Sequence, residues 1–155
     1  MKEIPDLLRE HLFTQGLDDY IVEAIAGCAR NVSFDAGEYV FREGGEARFF
    51  YLIRRGHVAL EMFAPGRGPV TFISLKSGDL LGVSWLLPPY RWGYDARTVA
   101  STQAIAFDAQ CLRQKCEADH HLGYEMMKRF IGPLAQRLHS ARLQSADLFS
   151  QSGSP

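Results

Sequence analysis

The chain has 155 residues, of which 46% are hydrophobic, and a formal net charge of -1 at pH 7. A chain of this length can bury an adequate core as one domain without disulfides or a structural metal. The lack of net positive charge argues against nucleic-acid or anionic-membrane binding driven by bulk charge. These properties favour a single globular domain.

The cysteines and the N-terminus predict the compartment. Cys28, Cys111 and Cys116 form an odd and scattered set, so we expect reduced cysteines without a disulfide framework, a zinc site or an iron–sulfur cluster. Residues 1–12 are charged and lack the apolar segment of a secretory signal, and no run approaches the roughly 18 apolar residues that span a bilayer. We therefore expect a cytoplasmic protein without membrane association.

The first predicted element is an N-terminal helical segment, residues 1–30. Apolar residues recur at steps of three and four between Leu17 and Cys28, which is the stripe of an amphipathic helix. From residue 31 to residue 110 the period changes to two, and glycines separate short runs. At least six strands are expected there, with residues 58–63 and 70–75 antiparallel, and their close spacing favours a sandwich or barrel.

Residues 111–148 are expected to form C-terminal helices. Apolar and small residues repeat there at alternating steps of four and three, which is a heptad seam and predicts a dimer interface. The seam consists of Met127, Ile131, Leu134, Leu138, Ala141, Ser145 and Leu148. Its opposite face, which includes Arg129 and Arg137, is expected to be solvated. Gly132 and Pro133 should kink the helix, and residues 149–155 should form a flexible tail.

Three motifs carry a resemblance to a known family. Residues 34–44 (FDAGEYVFREG), 49–60 (FFYLIRRGHVAL) and 78–82 (GDLLG) follow one another in register, with helices before and after them. This order resembles the cyclic nucleotide-binding domain of Crp/Fnr regulators, ion channels and protein kinase regulatory subunits. The resemblance implies an α+β fold: an antiparallel β-roll, of the double-stranded β-helix or jelly-roll kind, between an N-terminal helical region and a long C-terminal helix. It also implies a phosphate-binding cassette within residues 78–99.

The resemblance further implies which residues hold the ligand. In the family, a Glu after the second cassette glycine takes the ribose hydroxyl, and an Arg before the next strand holds the cyclic phosphate. The matching positions here are Val83 and Asp95. A charge-assisted hydrogen bond contributes about 1.5–3 kcal/mol, and unit charges 4 Å apart interact by about 4 kcal/mol at an effective dielectric of 20. The two changes together cost on the order of 5 kcal/mol, so usual binding of cyclic AMP or cyclic GMP is not expected.

Other side chains leave two alternatives open for the pocket. Arg97 or Arg91 could replace the missing cation and hold a nucleotide or another anionic ligand. The aromatic residues Trp85, Tyr90, Trp92 and Tyr94 could form a wall for a flat ligand or fill an empty pocket. The candidate ligand-binding residues are Gly82, Val83, Ser84, Trp85, Arg91, Trp92, Asp95, Arg97 and Thr98.

The sequence thus predicts a dimeric sensor or regulatory module. It contains no nucleophile elbow, paired-carboxylate motif, Walker loop or HExxH, so we expect neither an enzyme nor a cofactor or metal. Crp/Fnr regulators carry a helix-turn-helix domain after the long helix, whereas this chain stops at Pro155. Direct DNA binding is therefore not expected, and a separate output protein is. The alternatives are a ligand-free dimeric adaptor and a sensor rewired through Arg97 or Arg91.

Overall fold

The computed structural model describes residues 2–152, with side chains described through residue 143. The N-terminal region contains helix α1 (Ile4–Glu10), one 3-10 turn (Leu12–Thr14) and helix α2 (Asp19–Ala26). Helical spacing places Ile21, Val22 and Ile25 on one buried face of α2. This face packs the N-terminal region against the rest of the core.

Eight strands follow and form two antiparallel four-stranded sheets. Their bounds are β1 (Ala29–Phe34), β2 (Tyr39–Phe41), β3 (Phe49–Arg55), β4 (His57–Ala64), β5 (Gly68–Lys76), β6 (Leu80–Leu81), β7 (Asp95–Thr98) and β8 (Thr102–Asp108). The first sheet has the order β1-β8-β3-β6 and the second has the order β2-β7-β4-β5. The predicted β-roll between helical ends is confirmed.

A tight turn joins the two sheets between β3 and β4. Gly56 adopts φ +118°, and a Cβ atom there would lie 2.4 Å from the Thr102 hydroxyl oxygen. Only glycine tolerates both this conformation and this approach. The β4–β5 hairpin pairs from His57 opposite Lys76 to Ala64 opposite Gly68, with a shift of register between Leu60 and Glu61. It includes the antiparallel pairing predicted for residues 58–63 and 70–75.

Helix α3 (Ala109–Ala118) and helix α4 (His120–Ser152) end the described chain. The Asp108 carboxylate caps α3 by accepting from the Cys111 N–H at 2.9 Å. Leu122, Met126 and Phe130 bury one face of α4 at its beginning. The helix then continues through Pro133. The kink expected at Pro133 stays a prediction, and residues 153–155 of the expected tail lie outside the described residues.

The cysteines depart from the sequence expectation. Cys28 and Cys111 form a disulfide across 83 residues of sequence, with Cα atoms 5.7 Å apart, while Cys116 is free. The expectation of three reduced cysteines is therefore wrong for two of them. Strand β1 begins directly after Cys28, and its pairing of Ala29 with Phe107 of β8 brings the two cysteines together. Sequence spacing carries no sign of this pairing.

No helix in the described part of the chain combines the length and the apolar character needed to cross a bilayer.

The buried His11 predicts a pH dependence of stability. Its Nδ1 accepts from the Phe13 N–H at 3.1 Å, so Nε2 carries the proton and donates to the Ile53 carbonyl at 2.9 Å. Burial lowers the pKa of this imidazole. The neutral form is therefore favoured in the folded state, and its contribution to stability is present above the unfolded pKa of about 6.5. That contribution is lost as the pH falls below this value.

We expect the free energy of unfolding of the wild type to decrease between pH 7.5 and pH 5 by more than that of His11→Gln, whose side chain does not titrate. Urea denaturation at several pH values measures this difference. Equal pH slopes for the two proteins would contradict it.

Candidate site between the two sheets

The candidate site is the segment of residues 82–94, which leads from β6 in the first sheet to β7 in the second. It begins at Gly82, whose φ is +101°. A Cβ atom there would lie 2.8 Å from Cη2 of Trp92. Glycine is thus required by its backbone conformation and by the close approach of an indole ring.

Trp92 lies between this glycine and the second sheet. Its ring stacks on Phe41 with centroids 3.7 Å apart and planes 6° apart, and the side chain is 5% exposed. Tyr94 follows, with its ring centroid 5.8 Å from Phe41 and 5.5 Å from Phe72. Aromatic rings therefore occupy the space between residue 82 and the second sheet.

Trp85 occupies a different part of the core. It is fully buried, and its ring lies 4.8 Å from Phe50 and 5.2 Å from Phe130 of α4. Its carbonyl oxygen accepts a hydrogen bond from Arg113 of α3, while its Nε1 has no partner. Trp85 thus connects the segment to both C-terminal helices.

The contacts of the Asp95 carboxylate lie outside residues 82–94. Its Oδ1 accepts from the Glu43 N–H at 2.7 Å and lies 3.5 Å from Nε of Arg42. Both partners belong to the turn after β2. The carboxylate therefore stabilises this turn, and Arg42 supplies the neighbouring positive charge.

The two candidate cations, Arg97 and Arg91, are bonded to other parts of the protein. Arg97 donates to Glu61 Oε2 at 2.8 Å, and the Glu61 side chain is 3% exposed against 41% for Arg97. Arg91 is exposed, and its guanidinium lies 3.4 Å from the Gly44 carbonyl oxygen. Each guanidinium already has an acceptor, and neither acceptor belongs to residues 82–94.

The remaining candidates, Thr98, Val83 and Ser84, belong to the packing and hydrogen bonding of the fold. The buried Thr98 hydroxyl donates to the Asp35 carbonyl at 2.6 Å and accepts from the Glu38 N–H at 3.0 Å, which ties β7 to the β1–β2 turn. Val83 packs against the core, and Ser84 is half-buried. Of the nine predicted residues, the structure brings Gly82 and Trp92 together, while Arg91, Asp95 and Arg97 form separate contacts.

Two arginines of α4 bond to backbone carbonyls in distant parts of the chain, which helix periodicity did not predict. Arg129 donates to the Phe13 and Gln15 carbonyls at 2.8 Å each and to Glu125 at 2.7 Å. Arg137 donates to the Leu80 carbonyl, and its charge opposes the burial that raises the pKa of Tyr94. The expectation that this face of α4 is solvated is wrong at both positions. Both side chains line a groove of about 520 Å³ between α4 and the turn that joins β5 to β6.

The predicted seam lies on the other side of α4. Met127 is half-buried against the core, whereas Ile131, Leu134 and Leu138 are 62%, 40% and 55% exposed. Ala141 is also exposed. The side chains of Ser145 and Leu148 lie outside the described part. The described seam is thus an apolar stripe open to solvent.

Comparisons with known proteins agree with this architecture. Residues 31–119 match the family model of the cyclic nucleotide-binding domain. The chain is 29% identical over 145 residues to the cyclic nucleotide-gated ion channel 18 of Arabidopsis thaliana, covering 90% of this chain and 19% of the channel. It is 27% identical over 142 residues to the CRP-like cAMP-activated global transcriptional regulator of Mycobacterium tuberculosis, covering 92% of this chain and 61% of the regulator. The chain therefore spans less than two thirds of either relative.

A solved structure extends the comparison to the fold. A candidate cyclic nucleotide-binding protein from Geobacter metallireducens superposes with a TM-score of 0.76 at 29% identity. The match covers 87% of this chain and 98% of the other.

Proposed function

Because the chain belongs to the cyclic nucleotide-binding domain family, we propose that it is a non-enzymatic regulatory module whose own aromatic side chains occupy the ligand pocket. The packing of Trp92 between Phe41 and Gly82 carries this proposal. A nucleotide entering the space between residue 82 and the second sheet would have to displace an indole that is 5% exposed. Displacing a buried aromatic ring costs several kcal/mol before any contact to the ligand forms.

Charge supports the same conclusion. Position 83 is a valine, which offers no acceptor to a ribose hydroxyl. Asp95 keeps a negative charge near the position where the family places its phosphate-binding cation, and its carboxylate is already bonded to the Glu43 N–H. An anionic ligand gains no charge-assisted hydrogen bond from either residue.

The contacts of the two candidate cations favour a ligand-free module over a rewired sensor. Moving Arg97 to a ligand would leave the buried Glu61 carboxylate without its partner, which is costly in a low-dielectric environment. Arg91 lies at the surface beside Gly44. A rewired sensor that uses Arg97 therefore has to break this ion pair.

The output of the module is proposed to be homodimerisation through α4. The stripe of Ile131, Leu134 and Leu138 exposes contiguous apolar surface, which an isolated protein rarely leaves open. Two copies can bury this stripe against each other as a coiled coil. In this proposal the dimer acts in the cytoplasm on a separate output protein, without direct contact to DNA or membrane.

Calorimetry with cyclic AMP and cyclic GMP tests the proposed pocket. We expect no binding tighter than the high-micromolar range in the wild type, Arg97→Ala or Arg91→Ala, because the lost contacts and added repulsion cost on the order of 5 kcal/mol. Circular dichroism of each variant controls for folding. Submicromolar binding to the wild type that either arginine change abolishes would establish the rewired sensor instead.

A further inference from the structure

We propose that the Cys28–Cys111 disulfide is a reversible thiol–disulfide exchange site, whose reduction by a dithiol lowers the stability of the folded domain. Cys28 lies between α2 and β1, and Cys111 lies in the first turn of α3. The bond is thus a covalent connection between the helical regions that precede and follow the β-roll in the sequence. This inference is independent of whether the pocket binds a nucleotide.

The surrounding hydrogen bonds keep the two sulfurs within reach in either redox state. The Asp108 N–H donates to the Cys28 carbonyl at 2.8 Å, and the Asp108 carboxylate accepts from the Cys111 N–H at 2.9 Å. The Ala109 N–H donates to the Arg48 carbonyl at 2.8 Å, which fixes the start of α3 to the residue before β3. None of these bonds involves a sulfur atom. Reduction therefore leaves two thiols held close together, a geometry from which the disulfide can form again.

The exposure of the two residues determines which sulfur is attacked. Cys28 is 7% exposed, whereas Cys111 is half-buried. A thiolate of the dithiol attacks Cys111 Sγ, the S–S bond breaks, and its electron pair leaves on Cys28 Sγ, which takes a proton from solvent. The second thiol of the reductant then attacks the mixed disulfide and releases the Cys111 thiolate. The protein gains two electrons, and the dithiol leaves as its cyclic disulfide.

Reduction lowers the free energy of unfolding of the whole domain. The disulfide closes a loop of 83 residues, and a crosslink of this span restricts the unfolded chain strongly. Helix α3 in turn packs on α4, since a Cβ at Gly123 would lie 3.1 Å from the Cys116 carbonyl oxygen. In a reducing compartment such a bond is transient and senses the thiol pool, because stable disulfides are rare there. For the cytoplasmic module proposed above, redox state would then be an input.

The experiment equilibrates the folded wild-type protein in mixtures of reduced and oxidised dithiothreitol and quenches exchange with acid. After the dithiothreitol is removed, the protein is unfolded, its free thiols are blocked with iodoacetamide, and the labels are counted by mass spectrometry. We expect one label in oxidising mixtures and three in reducing ones, and a return to one label when the reduced protein is transferred back to oxidised dithiothreitol. The reduced protein should melt on the order of 10 °C lower. The Cys28→Ser/Cys111→Ser protein should melt like the reduced wild type in every mixture, whereas Cys116→Ser should keep the full shift.

Three results would overturn the proposal. The first is three labels in every mixture, which means that no bond forms. The second is one label in folded protein even in fully reduced dithiothreitol, with reduction only after addition of urea, which means that the disulfide is inert. The third is reoxidation that pairs Cys116 or links two chains. Because none of these readouts involves a nucleotide, they leave the test of the pocket unaffected.

Discussion

Replacing Trp85 by alanine is expected to lower the free energy of unfolding by about 3–5 kcal/mol, the range for a large aromatic side chain removed from a core. Trp85 is fully buried and contacts the rings of Phe50 and Phe130. Phe130 is the last described residue of α4 with a fully or nearly buried apolar side chain, so the cavity also weakens the packing of α4. Urea denaturation followed by circular dichroism measures the change.

The matched control is Trp85→Phe, which keeps an aromatic ring against Phe50 and removes an indole Nε1 that has no hydrogen-bond partner. It should lose much less stability than Trp85→Ala, because it leaves a smaller cavity. If both variants cost less than about 1 kcal/mol, Trp85 is not the core residue described above.

The fold could be predicted because the residues that mark its strands and turns act locally in the sequence. Alternating apolar residues indicate strands at any position in a chain, and a glycine such as Gly56 marks a turn because a left-handed backbone requires it. The helical stripe of α2 follows from the same kind of short-range periodicity. These signals need no knowledge of which strands become neighbours.

The site was less predictable because it depends on contacts between distant segments. The sequence contained Trp85 and Trp92 as equal candidates, yet one ring packs on Phe130 and the other on Phe41. Arg97 was a candidate ligand for an anion because its partner, Glu61, lies 36 positions away on another strand. Neither assignment follows from spacing along the chain.

The disulfide and the arginines of α4 also depend on contacts between distant segments, which the sequence does not show. Cys28 and Cys111 meet only because β1 pairs with β8. Arg129 and Arg137 look like solvated residues opposite the seam, but the carbonyl groups that accept from them belong to the segment after α1 and to β6. Helix periodicity separates an apolar face from a polar one, and it does not show whether the polar face meets solvent or backbone.

The exposed stripe of α4 leads to the second large expected effect. In a dimer formed by this stripe, Leu134 lies in the middle, one turn from Ile131 and one turn from Leu138. Leu134→Asp would place an unpaired carboxylate in the interface of each copy, at a cost of several kcal/mol. We therefore expect the dissociation constant of the dimer to rise at least about a hundredfold.

Light scattering at tens of micromolar protein should give a dimer mass for the wild type and a monomer mass for Leu134→Asp. The matched control is His139→Asp, which adds the same charge at an exposed position of α4 outside the stripe and should remain a dimer. A monomer mass for the wild type, or loss of the dimer in His139→Asp as well, would contradict an interface on this stripe. Because Leu134 is already 40% exposed in the single chain, its replacement should change the thermal unfolding of the isolated monomer little, so the effect on assembly can be separated from an effect on folding.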